Sequence, residues 1–201
     1  MTEFGFYPYL VFIVMATWGF FHSWMAAFST KQHAQAIFGE KISRYYRLIF
    51  IGTAVLTLTL ILAMVLFFPS HLLWQIPAPW LFLTGALQVL ALVGIPFNFR
   101  HIDIFAFVGL RQLVNPEAER ESDLVIKGMY RFVRHPLYFF SMIILWLIPW
   151  MTDTGLAFVI ASTLYFLLGT IPEERKLLEI FGDQYRCYQE EVPRIIPGLK
   201  R

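Results

Sequence analysis

The sequence predicts an all-α fold: an integral membrane bundle of five transmembrane helices with short interfacial and C-terminal cytoplasmic helices. Of the 201 residues, 58% are apolar and 15% are charged, whereas about a quarter of the residues in a soluble domain carry charge. Five runs contain no Asp, Glu, Lys or Arg, and the basic residues follow only the first, third and fifth of them. Composition and pattern both indicate a lipid bilayer as the solvent.

The charge-free runs are residues 4–28, 48–68, 72–99, 136–152 and 154–172. About 20 apolar residues cross a hydrocarbon core as a helix, so the first three runs are long enough. The last two are shorter, and we expect them to form a tight helical hairpin, because a turn is predicted by Pro149, Trp150, Asp153 and Gly155. The first run has no basic flank before it and is too long for a signal peptide, which predicts a retained helix.

The basic residues predict the orientation of the bundle. With five spans, all sixteen Lys and Arg residues lie on one face, and the other face holds only Glu3 and Asp153 among the charged residues. Because basic loops are retained in the cytoplasm, the N-terminus is predicted outside and the C-terminus inside. The topology accounts for the net charge of +2, so neither a nucleic-acid partner nor an obligatory protein partner is indicated.

Two cytoplasmic stretches are expected to form the additional short helices. The first covers residues 100–134, and its apolar residues predict an interfacial helix: Ile104, Phe105, Phe107, Val108 and Leu110. The second is the tail from Glu173. There Leu177, Leu178 and Phe181 recur at helical spacing until Gly182 ends the pattern. The tail is therefore predicted to extend the fifth span into the cytoplasm and then fold back.

One polar cluster stands immediately before the fourth span. It consists of Gly128, Tyr130, Arg131, Arg134, His135, Pro136 and Tyr138. Proline suits the first turn of a helix, and a helix N-terminus favours an anionic group. The cluster is interpreted either as part of such a site or as ordinary anchors at the membrane boundary.

A second cluster, Glu173, Glu174 and Arg175, stands at the inner end of the fifth span. Alone it would be read as a solvated helix face. The predicted hairpin, however, brings both clusters to the same membrane depth, where they would complement a zwitterionic amino acid that carries a nucleoside. The single cysteine, Cys187, excludes an internal disulfide or a CxxC metal site, and no metal is predicted.

The C-terminal part of the chain resembles the isoprenylcysteine carboxyl methyltransferase superfamily, which includes membrane phospholipid methyltransferases. The resemblance rests on residues 124–130, 134–138, 173–174, 177, 181–182, 185, 188 and 192–194, in that order around the hairpin. It implies a site for the methyl donor S-adenosylmethionine. The superfamily lacks the soluble Rossmann fold, and the sequence has no glycine-rich strand-to-helix fingerprint.

The resemblance also implies which residues bind the cofactor. Leu124, Val125 and Tyr130 would line it, and His135, Pro136, Leu137 and Tyr138 would hold it through backbone and side-chain contacts. Glu174, together with Glu173, would bind its polar end. The chain is thus expected to be a single membrane domain, with three N-terminal spans in residues 1–99 and a cofactor-binding half in residues 100–201.

The N-terminal half resembles the bacterial branch that includes methanethiol S-methyltransferase. The residues that carry this likeness are Phe21-His22-Ser23, Ala26, Ala27, Tyr45-Tyr46-Arg47-Leu48, Ile102-Asp103 and Gly109-Leu110-Arg111-Gln112. It implies a small or lipophilic thiol as acceptor and a location in the bacterial inner membrane. A phospholipid amine or an isoprenylcysteine-like carboxylate remains an alternative acceptor, although the fifth span has no basic residue to meet a carboxylate. A non-enzymatic membrane scaffold or transport-associated subunit is the alternative from another class.

A thiol acceptor must lose its proton before it can attack, because the thiolate is the nucleophile. His101, with Arg100 and Asp103, is the candidate for this step; the alternative is a snorkelling residue at the interface. His22 and Gln112 are candidates for the substrate pocket. His22 lies within a span, where polar side chains usually face the bundle interior, so it could instead make a structural hydrogen bond, for example with Ser23.

Overall fold

The computed structural model describes residues 5–98, 100, 104–114 and 124–199. Helices dominate these residues, which confirms the all-α class. The elements are α1 (Phe6–Ala26), α2 (Phe28–Phe38), α3 (Lys41–Phe67), β1 (Leu72–Gln75), α4 (Ala78–Asn98), α5 (Ile104–Phe107), α6 (Leu110–Val114), a 3₁₀ helix (Gly128–Arg131), α7 (Pro136–Trp146), β2 (Trp150–Thr152), α8 (Asp153–Phe181) and α9 (Asp183–Glu191).

Four of the described helices, α1, α3, α4 and α8, are long and apolar enough to cross a membrane. The predicted fourth span is shorter than expected, because α7 has only 11 residues. It ends at Trp146, close to Pro149, which disfavours helical backbone at Ile148. The segment nevertheless connects the two ends of α8, since His135 contacts Glu174 while β2 leads directly into Asp153. The count of five spans remains a prediction.

The sequence did not predict the two short strands that pair at the end of the bundle away from His135. β1 and β2 are antiparallel, with Leu72 opposite Thr152 and Gln75 opposite Trp150. The third charge-free run therefore starts as a strand, and its helix begins only at Ala78. Proline at positions 77 and 79 fits this late start, because proline is favoured in the first turn of a helix.

Asp153, at the start of α8, is hydrogen-bonded to His71, which directly precedes β1. Its Oδ1 accepts from the backbone N–H of His71 (3.0 Å) and of Thr154 (2.8 Å), and its Oδ2 lies 3.1 Å from Nδ1 of His71. The backbone N–H of Asp153 donates back to the carbonyl of His71 at 3.0 Å. The buried carboxylate thus satisfies two backbone N–H groups at this strand-to-helix junction.

Glycine allows the closest helix contacts. A Cβ on Gly19 of α1 would stand 2.8 Å from Cδ2 of Tyr165 on α8, and one on Gly94 of α4 would stand 2.6 Å from the Phe140 ring of α7. Small residues at such crossings let membrane helices pack without a hydrophobic driving force. A buried apolar core lies between α1, α3 and α8, with Val11, Met15, Ile61, Phe158 and Ala161. Many other large apolar side chains face outward, as a lipid solvent permits.

The elements that were predicted to be cytoplasmic differ from the prediction in one respect. Two short helices, α5 and α6, replace the single interfacial helix, because Gly109 adopts a φ of +90° between them. The expected end of the long tail helix is confirmed. α8 continues through Pro172 to Phe181, and Gly182 stops it with a φ of +56°.

Candidate active site

The backbone directly before α7 is hydrogen-bonded to the C-terminal tail. The backbone N–H of Arg134 donates to the carbonyl of Pro193 at 2.9 Å, and that of His135 donates to the carbonyl of Arg194 at 3.0 Å. Pro136 follows as the first residue of α7 and needs no partner for its nitrogen. These contacts fix the backbone of Arg134 and His135 beside the inner end of α8.

Glu174 occupies the centre of a buried polar network. Its Oε1 lies 3.1 Å from Nε2 of His135 and 2.9 Å from Nε of Arg134. Its Oε2 accepts from Nε2 of Gln189 at 3.0 Å and lies 3.5 Å from Nε of Arg194. Glu174 and His135 are only 4% and 6% exposed, so the carboxylate is stable there because each oxygen has two partners.

Glu173 offers a second carboxylate in a more open position. Its side chain is 47% exposed. Its Oε2 accepts from the hydroxyl of Tyr138 at 3.1 Å and lies 3.5 Å from Nδ1 of His135. The imidazole of His135 therefore stands between the two carboxylates, with one nitrogen toward each. Glu173 can still accept a hydrogen bond from a further donor, since a carboxylate has about four acceptor sites.

Three aromatic rings stack in a row that leads from the polar network toward the middle of the bundle: those of His135, Tyr138 and Phe166. The ring of Tyr138 stacks on that of His135, with centroids 5.5 Å apart and planes 9° apart. On its other side it stacks on Phe166 of α8, at 5.1 Å and 17°. The polar network at the helix ends is thereby joined to an apolar interior.

A tyrosine cluster supports the network from the side of α9. Tyr185 and Tyr188 are buried against Leu177 and Leu178, and the Tyr188 hydroxyl donates to the carbonyl of Tyr130. Burial raises the pKa of Tyr188, and it raises the pKa of Tyr130 together with the nearby Glu173 charge. Both phenols therefore stay protonated at physiological pH, and that of Tyr188 donates a hydrogen bond.

The structure gives the other predicted cofactor residues definite positions. Leu124 packs against the tyrosine cluster. Val125 and Leu137 are half-buried, and Pro136 is buried at the start of α7. Of the predicted cofactor residues, the structure thus brings His135, Tyr138, Glu173 and Glu174 into direct contact.

The predicted substrate and catalytic residues lie elsewhere or outside the described residues. His22 lies on α1 among aromatic rings, with centroids 4.8 Å from Trp18 and 4.6 Å from Phe50. The Arg100 guanidinium stands 4.8 Å above the ring of Phe97. His101 and Asp103 fall outside the described residues, and of Gln112 only the backbone, in α6, is described.

Three residues of the site were missed by sequence reasoning: Gln189, Arg194 and Phe166. Arg194 lay within the Val192-Pro193-Arg194 element of the resemblance, which was a signal that it could belong to the site. No sequence feature indicated that Gln189 belongs to the site, because a single glutamine on a polar helix is common. Phe166 stands in a continuous apolar run, which does not show which ring faces the cluster.

Comparison with known proteins finds similar sequences for the segment that holds this site. The family model for phospholipid methyltransferases matches residues 89–184, which include Tyr130, His135, Tyr138, Glu173 and Glu174. The methanethiol S-methyltransferase of Pseudomonas deceptionensis is 35% identical over 105 residues, which cover 52% of this chain and 40% of that protein. The chain is thus similar to known methyltransferases over about half of its length.

Two other similar proteins match longer segments. The methanethiol S-methyltransferase of another Pseudomonas species is 34% identical over 158 residues, which cover 73% of this chain and 59% of that protein. The human protein-S-isoprenylcysteine O-methyltransferase is 27% identical over 132 residues, which cover 60% of this chain and 43% of that protein. The chain thus spans about two to three fifths of these relatives. No solved structure matches the chain.

Proposed function

We propose that this chain is an S-adenosylmethionine-dependent methyltransferase that methylates a small or lipophilic thiol. The observation that carries this proposal is the contact of His135 and Tyr138 with Glu173 and Glu174. It lies inside the segment that matches the methyltransferase family. The relatives named methanethiol S-methyltransferase support a thiol as the acceptor.

The donor set at the site fits the methyl donor. The amino group of an amino acid needs a carboxylate, and Glu173 is open enough to supply one. The carboxylate of the amino acid needs a cation, and Arg194, whose side chain is 29% exposed, lies beside the network.

The two glutamates would have different roles in this arrangement. Glu174 is already bound by Arg134, His135, Gln189 and Arg194, so it would have to exchange one of these partners to meet a ligand. We therefore assign the direct contact to Glu173 and a supporting contact to Glu174. Leu124, Val125, Tyr130, Pro136 and Leu137 are proposed to line the same site.

When bound, S-adenosylmethionine supplies an electrophilic methyl group on a sulfonium centre that leaves as a neutral thioether. The acceptor thiol gives its proton to a base, and its sulfur forms the new bond to the methyl carbon as the old carbon–sulfur bond breaks. The products are a methyl thioether and S-adenosylhomocysteine. The contribution of the protein is to hold the two sulfur atoms in line, which can lower the barrier by several kcal/mol.

The base is proposed from the sequence alone. His101, next to Arg100 and near Asp103, stands at the inner end of the third span, where an imidazole could take the thiol proton. The site is proposed to face the cytoplasm, because the basic residues follow the first, third and fifth spans. A bacterial inner membrane is proposed from the likeness to bacterial methanethiol S-methyltransferases.

The test is a methyl-transfer assay with purified protein in detergent and methyl-labelled S-adenosylmethionine. The acceptors are methanethiol, longer alkanethiols, phosphatidylethanolamine and a prenylated cysteine. Labelled methyl thioether is the expected product, and Tyr138→Phe should reduce its rate, because this change removes a donor to Glu173 but keeps the ring stack. Labelled phospholipid or prenylcysteine ester alone would overturn the thiol assignment. Absence of any labelled product from folded protein would favour a non-enzymatic membrane scaffold.

A further inference from the structure

Tyr165 on α8 carries a hydroxyl that the buried polar network does not use. Its Oη makes no hydrogen bond with any of the described residues, and the side chain is half-buried. The oxygen retains accessible surface, in contrast to the enclosed hydroxyl of Tyr185. Because a phenol both donates and accepts, and because an unpaired hydroxyl inside a bundle is unfavourable, this oxygen can bind a ligand.

The helix α1 holds the Tyr165 ring in place. The ring meets that of Trp18 at 5.5 Å and 64°, and that of His22 at 5.8 Å and 79°, both edge-on. Gly19, between them in the sequence, approaches so closely that an added Cβ would stand 2.8 Å from Cδ2 of Tyr165. Three residues of one helix thus fix the ring, and the hydroxyl at its end has a defined position.

The Tyr165 hydroxyl lies beside the candidate active site, toward the middle of the bundle. The ring of Tyr165 is 5.8 Å from that of Phe166, which stacks on Tyr138. The charge of the Glu173 carboxylate acts on the hydroxyls of both Tyr138 and Tyr165. Tyr165 precedes Glu173 by eight residues, or about two helical turns. The hydroxyl is therefore near the polar network but on its apolar side.

Tyr165 and Phe166 also line a cavity of about 260 Å³ between α1, α3, α7 and α8. This cavity is partly open, and most of its other lining residues are apolar, among them Leu58, Leu62 and Leu145. Burial of an alkyl group against such residues is favourable. A lipophilic thiol would therefore place its alkyl group there and its sulfur beside the Tyr165 hydroxyl.

We propose that the Tyr165 hydroxyl donates a hydrogen bond to the sulfur of the acceptor and thereby stabilises its thiolate form. This inference rests on the proposed thiol methylation. The thiolate is the nucleophile, and apolar surroundings disfavour it. A donor that is already in position offsets this cost without reorganisation. The thiol proton leaves to the base, Tyr165 keeps its own proton, and the sulfur then forms its bond to the methyl carbon.

The first test measures the ionisation of a bound thiol without any methyl donor. The probe is para-nitrothiophenol, whose thiolate absorbs visible light, titrated with pH in the presence of purified protein and corrected for detergent alone. Wild type is compared with Tyr165→Phe, which keeps the ring and removes only the hydroxyl. Tyr9→Phe is the matched control, because Tyr9 is 61% exposed and does not line the cavity. Gly19→Ala is a second variant that keeps the hydroxyl but displaces the ring.

The bound thiol should ionise about one to two pH units higher in Tyr165→Phe than in wild type, the shift expected when a hydrogen bond to a charged group is lost. The other titratable groups near the hydroxyl are His22 on α1, Tyr138 on α7 and Glu173 on α8. Tyr165→Phe leaves all three in place, so the difference between the two titrations measures the effect of the hydroxyl.

Gly19→Ala should raise the ionisation pH as well, whereas Tyr9→Phe should match wild type. An unchanged value in folded Tyr165→Phe, or no binding of the probe to folded wild type, would overturn the inference. Calorimetric titration with S-adenosylhomocysteine provides a check on the assignment. Weaker binding to Tyr165→Phe at an unchanged ionisation pH would place the hydroxyl at the methyl donor instead, which also overturns it.

The second test is the pH dependence of methyl transfer to ethanethiol. Below about pH 8.5, the ordinary value of a thiol, Tyr165→Phe should be at least about tenfold slower than wild type. The two rates should converge at higher pH, where the thiolate forms without the hydroxyl. A purely structural role would lower the rate equally at every pH and would overturn the inference. If wild type methylates no thiol, the proposed function fails separately, and the first test still decides the role of Tyr165.

Discussion

His135 Nε2 lies 3.1 Å from Glu174 Oε1, and both side chains are buried. This contact joins residues that are far apart in the sequence, at the start of α7 and near the end of α8. Of the two adjacent glutamates, Glu174 is buried at the centre of the polar network, whereas Glu173 is exposed beside it. The two should therefore respond differently to the same substitution.

Glu174→Gln should destabilise the protein by about 3–5 kcal/mol, because it leaves the buried Arg134 without its counter-charge. Glu173→Gln should cost little stability, since its side chain is 47% exposed. Urea unfolding in a mild detergent measures both. Equal losses for the two variants would contradict the distinction between them.

Gly19→Ala should destabilise the packing of α1 on α8. The new methyl group would stand 2.8 Å from the Tyr165 ring, and overpacking of this kind costs about 1–3 kcal/mol. Gly169→Ala on α8 is the control, because a Cβ there meets no atom within 4 Å. It should be neutral or stabilising by up to about 1 kcal/mol. Thermal unfolding of both variants tests the close approach, which would be refuted if Gly19→Ala were as stable as Gly169→Ala.

Asp153→Ala should loosen the end of the bundle that carries β1 and β2. It leaves the N–H groups of His71 and Thr154 without their acceptor, at a cost of about 1–3 kcal/mol. His71→Ala should cost less, because its side chain is 58% exposed and its N–H still donates to Asp153. Hydrogen exchange of the two strands is the direct measurement. Unchanged protection in Asp153→Ala would show that the carboxylate does not hold the loops.

Tyr188→Phe should reduce the sensitivity of the fold to alkaline pH. Burial raises the pKa of Tyr188 above its usual 10.0, so its contribution to stability is complete below pH 10 and is lost as the pH rises through the raised value. The variant should lose about 1 kcal/mol near neutral pH, where the bond to Tyr130 is missing. Its stability should then fall less steeply above pH 10. Tyr9→Phe, whose ring is 61% exposed, is the control for unfolding curves across this range.

Part of the site follows from sequence patterns, because charged residues flank the predicted hairpin at both of its open ends. The hairpin of residues 136–172 brings Arg134 and His135 to the depth of Glu173 and Glu174, as predicted. The contacts that the C-terminal tail makes with the site could not be predicted from such patterns. Arg194 reaches Glu174 only because the backbone of Pro193 and Arg194 pairs with that of Arg134 and His135, and such a long-range contact leaves no periodic signal.

The strands were missed for a related reason. Leu72–Gln75 is apolar and uncharged, so it was read as the start of a helix. Its pairing with Trp150–Thr152 depends on the distant Asp153, which composition alone cannot reveal.

The central claim, a methyl-donor site at Glu173, His135 and Tyr138, is tested most directly by calorimetric titration with S-adenosylhomocysteine. Wild type should bind saturably with one site. Glu173→Gln, which should remain folded, should bind at least about tenfold more weakly, as expected for loss of a charged hydrogen bond of about 1.5–3 kcal/mol. Equal affinity of folded wild type and Glu173→Gln, or no binding to folded wild type, would contradict the assignment of the site.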